Sequence, residues 1–172
     1  MAETAIVVLV PEAEPLLGEH RERHTEEGAR GMGTHVTLLY PFVDSSRLDM
    51  QCLADVSDAL AEFEAFDFSL TSAMRFPGNP RVLCLRPEPD DPFRAMTAAL
   101  VRAFPDHPPY GGKYAEVIPH ATVAMADADV LDPIERELSP SLPIASRAME
   151  ATLVARDGPG ETWRERASLP FL

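Results

Sequence analysis

Apolar and polar positions along the chain predict strands and helices in a regular order. The apolar run from Ala5 to Val10 predicts a strand buried on both faces, and a charged helix follows from Glu12 to Glu27. A second strand is predicted from Thr34 to Tyr40. An amphipathic helix from Arg47 to Glu64 and a half-exposed strand from Phe66 to Arg75 complete the order strand, helix, strand, helix, strand.

The same order begins again after a turn rich in Pro, Gly and Asn. The second half is predicted to contain a strand from Arg81 to Arg86, a helix from Asp91 to Phe104, a strand from Val117 to Met125, a helix from Val130 to Leu138 and a strand from Ile144 to Arg156. A final hairpin leads to a strand near Trp163 to Leu169. This repeat of pattern predicts a two-lobed molecule with approximate internal symmetry.

Two His-x-Thr tripeptides fall on equivalent strands of the two halves. They are His35-Val36-Thr37 and His120-Ala121-Thr122. Because side chains alternate between the faces of a strand, the His and Thr of each tripeptide share one face while the apolar residue between them points to the other. We therefore expect the four polar side chains to line a groove between the lobes.

This set of side chains suits the cleavage of a phosphodiester without a metal. Displacement at phosphorus requires one proton to be removed from the attacking oxygen and another to be given to the leaving oxygen. Two imidazoles can act as general base and general acid near neutral pH. Hydroxyl groups such as those of Thr37 and Thr122 can donate hydrogen bonds to the non-bridging oxygens.

The residues around both motifs resemble a known family. The segments HVTLLYPF at 35–42 and PHATVA at 119–124 are similar to the paired signatures of the 2H phosphoesterase superfamily, in particular its 2′-5′ RNA ligase-like branch. The resemblance implies an α+β fold in which two pseudo-symmetric lobes, each an antiparallel sheet with helices packed outside, enclose a central cleft. It implies an enzyme that acts on 2′,3′-cyclic phosphates, related cyclic nucleotides or 2′-5′ linkages, with His35 and His120 as acid and base and Thr37 and Thr122 binding phosphate. Many relatives carry a basic residue soon after the second motif, where this chain has Val123-Ala124-Met125.

Four further residues are candidates for substrate binding. Tyr114 and Phe76 lie in predicted loops beside the groove and can stack on a base. Lys113 and Arg30, each in the loop that enters a motif strand, can attract phosphate. Tyr40 and Phe42 share the face of Val36 if no bulge intervenes, so they are expected in the core.

Composition limits the partners. The formal net charge of −13 disfavours long duplex nucleic acid, which proteins bind through many Lys and Arg contacts, so the expected substrate is a small nucleotide or an RNA end. The apolar run from Ala5 to Val10 is far shorter than the roughly 20 residues of a membrane span. With 172 residues and two cysteines outside any C-x-x-C pair, we expect one domain over residues 1–172, acting as a cytoplasmic monomer without a cofactor.

Two alternatives remain open at the level of sequence. The same cleft can belong to a non-catalytic module that binds a nucleotide or phosphate. His20 and His24, four apart on the first helix, have a spacing that can hold a metal, but the sequence between them is not that of H-E-x-x-H. The mixed charges around this pair favour an exposed helix face, and no metal site is predicted.

Overall fold

The computed structural model describes residues 2–172, which form eight strands and five α-helices. The strands are β1 (Glu3–Leu9), β2 (His35–Leu39), β3 (Phe66–Phe76), β4 (Arg81–Glu88), β5 (Ala121–Ala126), β6 (Ile144–Ala148), β7 (Glu150–Arg156) and β8 (Arg164–Pro170). The helices are α1 (Glu14–His24), α2 (Glu26–Ala29), α3 (Met50–Leu60), α4 (Asp91–Ala103) and α5 (Ala128–Leu138). None of the helices in this range is long and apolar enough to cross a membrane.

The strands form two four-stranded antiparallel sheets, one in each lobe. The first sheet has the order β2-β1-β7-β8, and the second has the order β5-β4-β3-β6. Helices pack against these sheets, with α4 on β2 and α1 on β5. The predicted α+β architecture with two lobes is therefore confirmed.

The lobes do not coincide with the two sequential halves of the chain. Strand β3 belongs to the first half but pairs with β4 and β6 in the second sheet. Strand β7 returns to pair with β1 in the first sheet, and β8 pairs with β7. The single strand predicted from Ile144 to Arg156 is wrong, because it is interrupted at Met149 and its two parts enter different sheets. Each lobe is thus completed by strands from the other half.

The hydrophobic core explains why β1 is apolar on both faces. Ile6 and Val8 belong to the main core cluster that joins both lobes, and Ala5 and Val7 belong to a smaller cluster on the opposite face of the same strand, covered by Trp163. A strand covered on both sides has no polar face, so its sequence shows no alternation.

A β-bulge changes the face that Tyr40 occupies. In the pairing of β1 with β2, Ile6 is opposite Leu39 and Val7 is opposite Thr37, so one extra residue lies between them in β2. A bulge shifts the alternation of the following side chains by one position. Phe42 lies in the main core as predicted, whereas Tyr40 packs on the smaller cluster around Val7. Tyr40 therefore packs on a core cluster, but not on the face of Val36 that was predicted for a strand without a bulge.

Side chains that cap the helices set several element ends. The predicted helix Glu12–Glu27 is divided at Thr25, whose hydroxyl accepts a hydrogen bond from the Gly28 N–H and begins α2. Asp49 caps α3 by accepting from the Cys52 N–H at 2.8 Å, so this helix begins at Met50 and not at Arg47 as predicted.

Candidate active site

The two motif strands lie next to each other although they belong to different sheets. β2 is the edge strand of the first sheet and β5 is the edge strand of the second, and the two strands contact each other. Val36 and Val123 point into the main core, whereas Thr37 and Thr122 are only partly buried. The structure therefore brings the two His-x-Thr tripeptides together where the lobes meet.

The two histidines have the same hydrogen-bonding geometry. The Nδ1 atom of His35 lies 2.8 Å from the Gly33 carbonyl oxygen, and the Nδ1 atom of His120 lies 2.7 Å from the Ile118 carbonyl oxygen. Since a carbonyl oxygen only accepts, each Nδ1 must carry the proton. In the neutral ring this leaves the lone pair on Nε2, which is the arrangement needed for proton transfer.

Burial lowers the pKa of both histidines, which favours their neutral form. Burial lowers the pKa of His35 to about 3, with further lowering from the positive charge of Arg21 and from His120. Burial also lowers the pKa of His120, although the Ile118 carbonyl and the carboxylate of Glu27 act in the opposite direction. The effect of His120 on the pKa of His35 indicates that the second imidazole lies within electrostatic reach of the first.

Arg21 is a site residue that sequence reasoning missed. It lies on α1 within the segment predicted to be an exposed charged face, but its side chain is only 1% exposed. Its Nη1 donates to the Thr122 carbonyl at 2.6 Å, and its Nη2 donates to the carbonyls of Met32 at 3.1 Å and Gly33 at 3.3 Å. The helix face that carries Arg21 is therefore directed into the protein, and that part of the prediction was wrong.

Tyr110 is the second residue that the sequence did not indicate. It lies in a turn before β5 with a positive φ of 52°, and its N–H donates to the Tyr40 carbonyl at 2.6 Å. Burial raises the pKa of its phenol, whereas the neighbouring Thr37 side chain lowers it. This contact brings a third hydroxyl next to the first motif.

Two of the predicted binding residues lie beside Tyr110. The ring of Tyr114 is 55% exposed and is centred 5.7 Å from the ring of Tyr110, in an edge-on arrangement. The Lys113 ammonium lies 5.4 Å from the centre of the Tyr114 ring. The turn that carries Tyr110 therefore brings an exposed aromatic face and a cation to the Thr37 side of the cleft.

The other two predicted binding residues occupy different places. Phe76, at the end of β3, packs edge-on against His120 with ring centres 4.8 Å apart, so it is a direct neighbour of the second motif. Arg30 is exposed, its carbonyl accepts from the Trp163 N–H, and its guanidinium lies near Gly160 in the turn between β7 and β8. The structure thus brings Phe76 into the site, whereas the contacts of Arg30 lie with the β7–β8 turn.

The His20 and His24 pair does not come together with further ligands. The Nε2 atom of His20 lies 3.3 Å from a carboxylate oxygen of Glu137. Within the part of the chain that the structure describes, no three His, Cys, Asp or Glu side chains are grouped so that they can hold a metal ion.

Comparison with known proteins identifies the family. The sequence model of the 2′-5′ RNA ligase superfamily matches residues 9–160, which include both motifs. The chain belongs to this superfamily. The predicted resemblance to 2H phosphoesterases is thereby confirmed, and superfamily membership supports an enzyme with phosphoesterase or RNA-ligase-like activity. No curated protein sequence matches the chain significantly.

Solved structures of similar fold cover nearly the whole chain. Escherichia coli LigT in its apo form superposes with a TM-score of 0.64 at 15% identity, covering 98% of this chain and 96% of LigT. TT0787 of Thermus thermophilus superposes with a TM-score of 0.62 at 18% identity, covering 98% and 97%. LigT complexed with 3′-AMP gives 0.61 at 16%, covering 98% and 97%. At these identities the likeness shows that this superfamily member shares their fold.

Proposed function

We propose that this protein is a metal-independent phosphoesterase that acts on a small nucleotide or an RNA-terminal phosphodiester, with a 2′,3′-cyclic phosphate as the first substrate to test. His35 and His120 are the acid and base pair, and Thr37 and Thr122 bind the non-bridging oxygens. The observation that carries the proposal is the matched geometry of the two imidazoles. Each is fixed through Nδ1 to a backbone carbonyl two residues earlier, so each keeps Nε2 for chemistry.

The reaction needs only these groups and water or a ribose hydroxyl. One imidazole takes a proton from the attacking oxygen as that oxygen bonds to phosphorus. The other imidazole gives its proton to the leaving ribose oxygen as the phosphorus–oxygen bond breaks. The first ring ends protonated and the second ends neutral, and exchange with solvent resets the pair. The same steps in reverse join two ends.

Substrate charge supplies the proton that the acid requires. The lowered pKa values of both imidazoles favour neutral rings at pH 7. A bound phosphodiester anion stabilises the charged form of a neighbouring imidazole and raises its pKa. Binding of the anion therefore favours a state with one protonated ring and one neutral ring.

The surroundings of the motifs favour a substrate of nucleotide size. Tyr114, stacked edge-on against Tyr110, offers an exposed ring for a base beside Thr37, and Lys113 adds a local positive charge to a strongly acidic protein. E. coli LigT, which shares the fold, has been crystallised with 3′-AMP, ATP and NADP+. We propose that this cleft accepts ligands of similar size.

The test is a substrate panel with identified products. Purified protein is incubated in the presence of EDTA with the four 2′,3′-cyclic nucleoside monophosphates and with 2′-5′ and 3′-5′ linked dinucleotides, and products are identified by chromatography and phosphorus NMR. We expect cleavage that survives the chelator and falls by about a hundredfold to ten-thousandfold in His35→Asn and in His120→Asn.

A matched control separates the site from the general effect of the substitution. His24→Asn makes the same replacement on α1, and it should leave the rate unchanged. Parental rates in both motif variants contradict the proposed pair. Tight nucleotide binding with no cleavage anywhere on the panel instead identifies the protein as a binding module.

A further inference from the structure

Arg21 connects the two motifs through backbone carbonyls from both lobes. Its guanidinium donates to Met32 and Gly33, which lead into β2 of the first sheet, and to Thr122 on β5 of the second sheet. The Gly33 carbonyl also receives the Nδ1 hydrogen of His35. One planar group therefore touches the residue that orients the first imidazole and the threonine of the second motif.

The buried guanidinium of Arg21 has backbone carbonyls as its hydrogen-bond partners. Arg21 is 1% exposed, and it forms none of the ion pairs found among residues 2–172. Within the described range, its Nε atom has no hydrogen-bond partner. A buried charge without a directly paired carboxylate is costly unless hydrogen bonds compensate it, and the acceptors of Arg21 are three backbone carbonyls at the two motifs. The hydrogen bonds that compensate this charge therefore all lie at the two motif segments.

We propose that Arg21 is a positioning residue, which fixes the His35 and His120 motifs relative to each other by binding carbonyls of both motif segments at once. This inference rests on the proposed function for its kinetic consequences. A planar guanidinium with several donors in fixed directions can bind the separate carbonyls together, whereas an ammonium is a point charge on a flexible stem. Holding two catalytic groups at a fixed separation matters because a misplacement of about 1 Å can cost a hundredfold in rate.

The charge of Arg21 has a second, separable effect. The titratable or charged groups that face the imidazole pair are Arg21 from α1, Glu27 from α2 and Tyr110, which reaches it through Thr37. Arg21 lowers the pKa of His35. Burial lowers the pKa of Arg21 itself, and the carboxylates of Glu27 and Glu14 act against that lowering. Removal of the positive charge of Arg21 should therefore raise the pKa of His35. Loss of the guanidinium hydrogen bonds with the charge kept should leave that pKa unchanged.

Two variants distinguish tethering from charge. Arg21→Lys keeps the charge and loses the multiple hydrogen bonds, whereas Arg21→Met loses both. We expect kcat for 2′,3′-cyclic phosphate cleavage to fall by about ten- to a hundredfold in each variant, with KM changed by less than about threefold. Histidine NMR should give a raised titration midpoint for His35 in Arg21→Met and a parental midpoint in Arg21→Lys.

Arg23→Met is the matched control, because Arg23 lies on the same helix, is exposed and pairs with Glu19. It should keep parental kcat and parental titrations. A folded Arg21→Lys or Arg21→Met protein with kcat within about twofold of the parent overturns the proposal. So does a loss of thermal stability without any change in kcat, since that pattern describes a purely structural residue.

A measurement on the unaltered protein decides the question if neither variant folds. Nitrogen-15 NMR of the Arg21 guanidinium should give slowly rotating, separately resolved Nη signals that shift when inorganic phosphate is added. Nη signals that do not shift when phosphate is added overturn the proposal. If the parent protein cleaves nothing on the panel, the proposed function fails. The His35 titrations and the Arg21 signals then still decide whether Arg21 positions the two motifs at a phosphate site.

Discussion

Replacing His35 should remove a specific part of the pH dependence of stability. The unfolded chain takes up a proton on this histidine near the ordinary pKa of 6.5, whereas the folded protein resists protonation down to about 3. The folded state therefore loses stability relative to the unfolded state as the pH falls below 6.5, and it is unaffected above that value. At pH 5, about 1.5 pH units below the ordinary value, the loss amounts to about 2 kcal/mol.

His35→Asn is the informative variant, because an asparagine amide can still donate to the Gly33 carbonyl but does not titrate. Urea unfolding at pH 7 and pH 5 should give a free energy of unfolding that falls by about 2 kcal/mol more in the parent than in the variant. His24→Asn should behave as the parent. Equal pH dependence in the parent and His35→Asn would refute the reasoning that burial and Arg21 keep this imidazole neutral.

Three further substitutions test individual contacts of the site. Thr122→Val should lower kcat/KM by about ten- to a hundredfold, since a hydrogen bond to a charged oxygen contributes about 1.5–3 kcal/mol. Steady-state kinetics measures this, and an unchanged kcat/KM excludes a role for the hydroxyl. Tyr110→Phe removes the hydroxyl that contacts Thr37 and should lower kcat/KM by about tenfold or less, while an increase would indicate that the phenol hinders binding. Phe76→Ala exposes the edge of the His120 ring and should raise the pKa of that imidazole, which NMR titration detects. A titration midpoint of His120 equal to that of the parent would mean that other groups bury the ring.

Local periodicity predicted the elements that carry the chemistry. The alternation of His35 and Thr37 with apolar Val36 and Leu38 follows from the two faces of a strand, and the helices near α3 and α4 follow from apolar residues at helical spacing. These patterns are local, and they survive in the fold because each face meets the environment that its side chains require.

The sequence pattern did not show which distant strands pair with each other. The break at Met149 sends Ile144–Ala148 and Glu150–Arg156 into different sheets, but both segments are apolar enough to be read as one strand. Sheet membership depends on long-range contacts, such as Phe66 with Ala148, which no local window contains.

The missed site residues show a similar limit. Arg21 lies among Glu19, Glu22 and Arg23, and such mixed charge is typical of an exposed face, whereas its burial depends on carbonyls that arrive from β2 and β5. Tyr110 lies next to Gly111 in a Pro- and Gly-rich turn, where the sequence gives no direction for its side chain. Tyr114, four residues away in the same loop, was predicted to bind substrate, but Tyr110 was not.

The central claim is that two imidazoles from different lobes act on a single phosphorus atom. A double-mutant cycle on kcat/KM for 2′,3′-cyclic phosphate cleavage, with His35→Asn, His120→Asn and the double variant, tests it most directly. Because groups that act as one unit are strongly non-additive, we expect the double variant to be about as slow as the slower single variant. The account would be contradicted if the fold-loss in kcat/KM of the double variant equalled the product of the two single losses. It would also be contradicted if either single variant kept the parental rate.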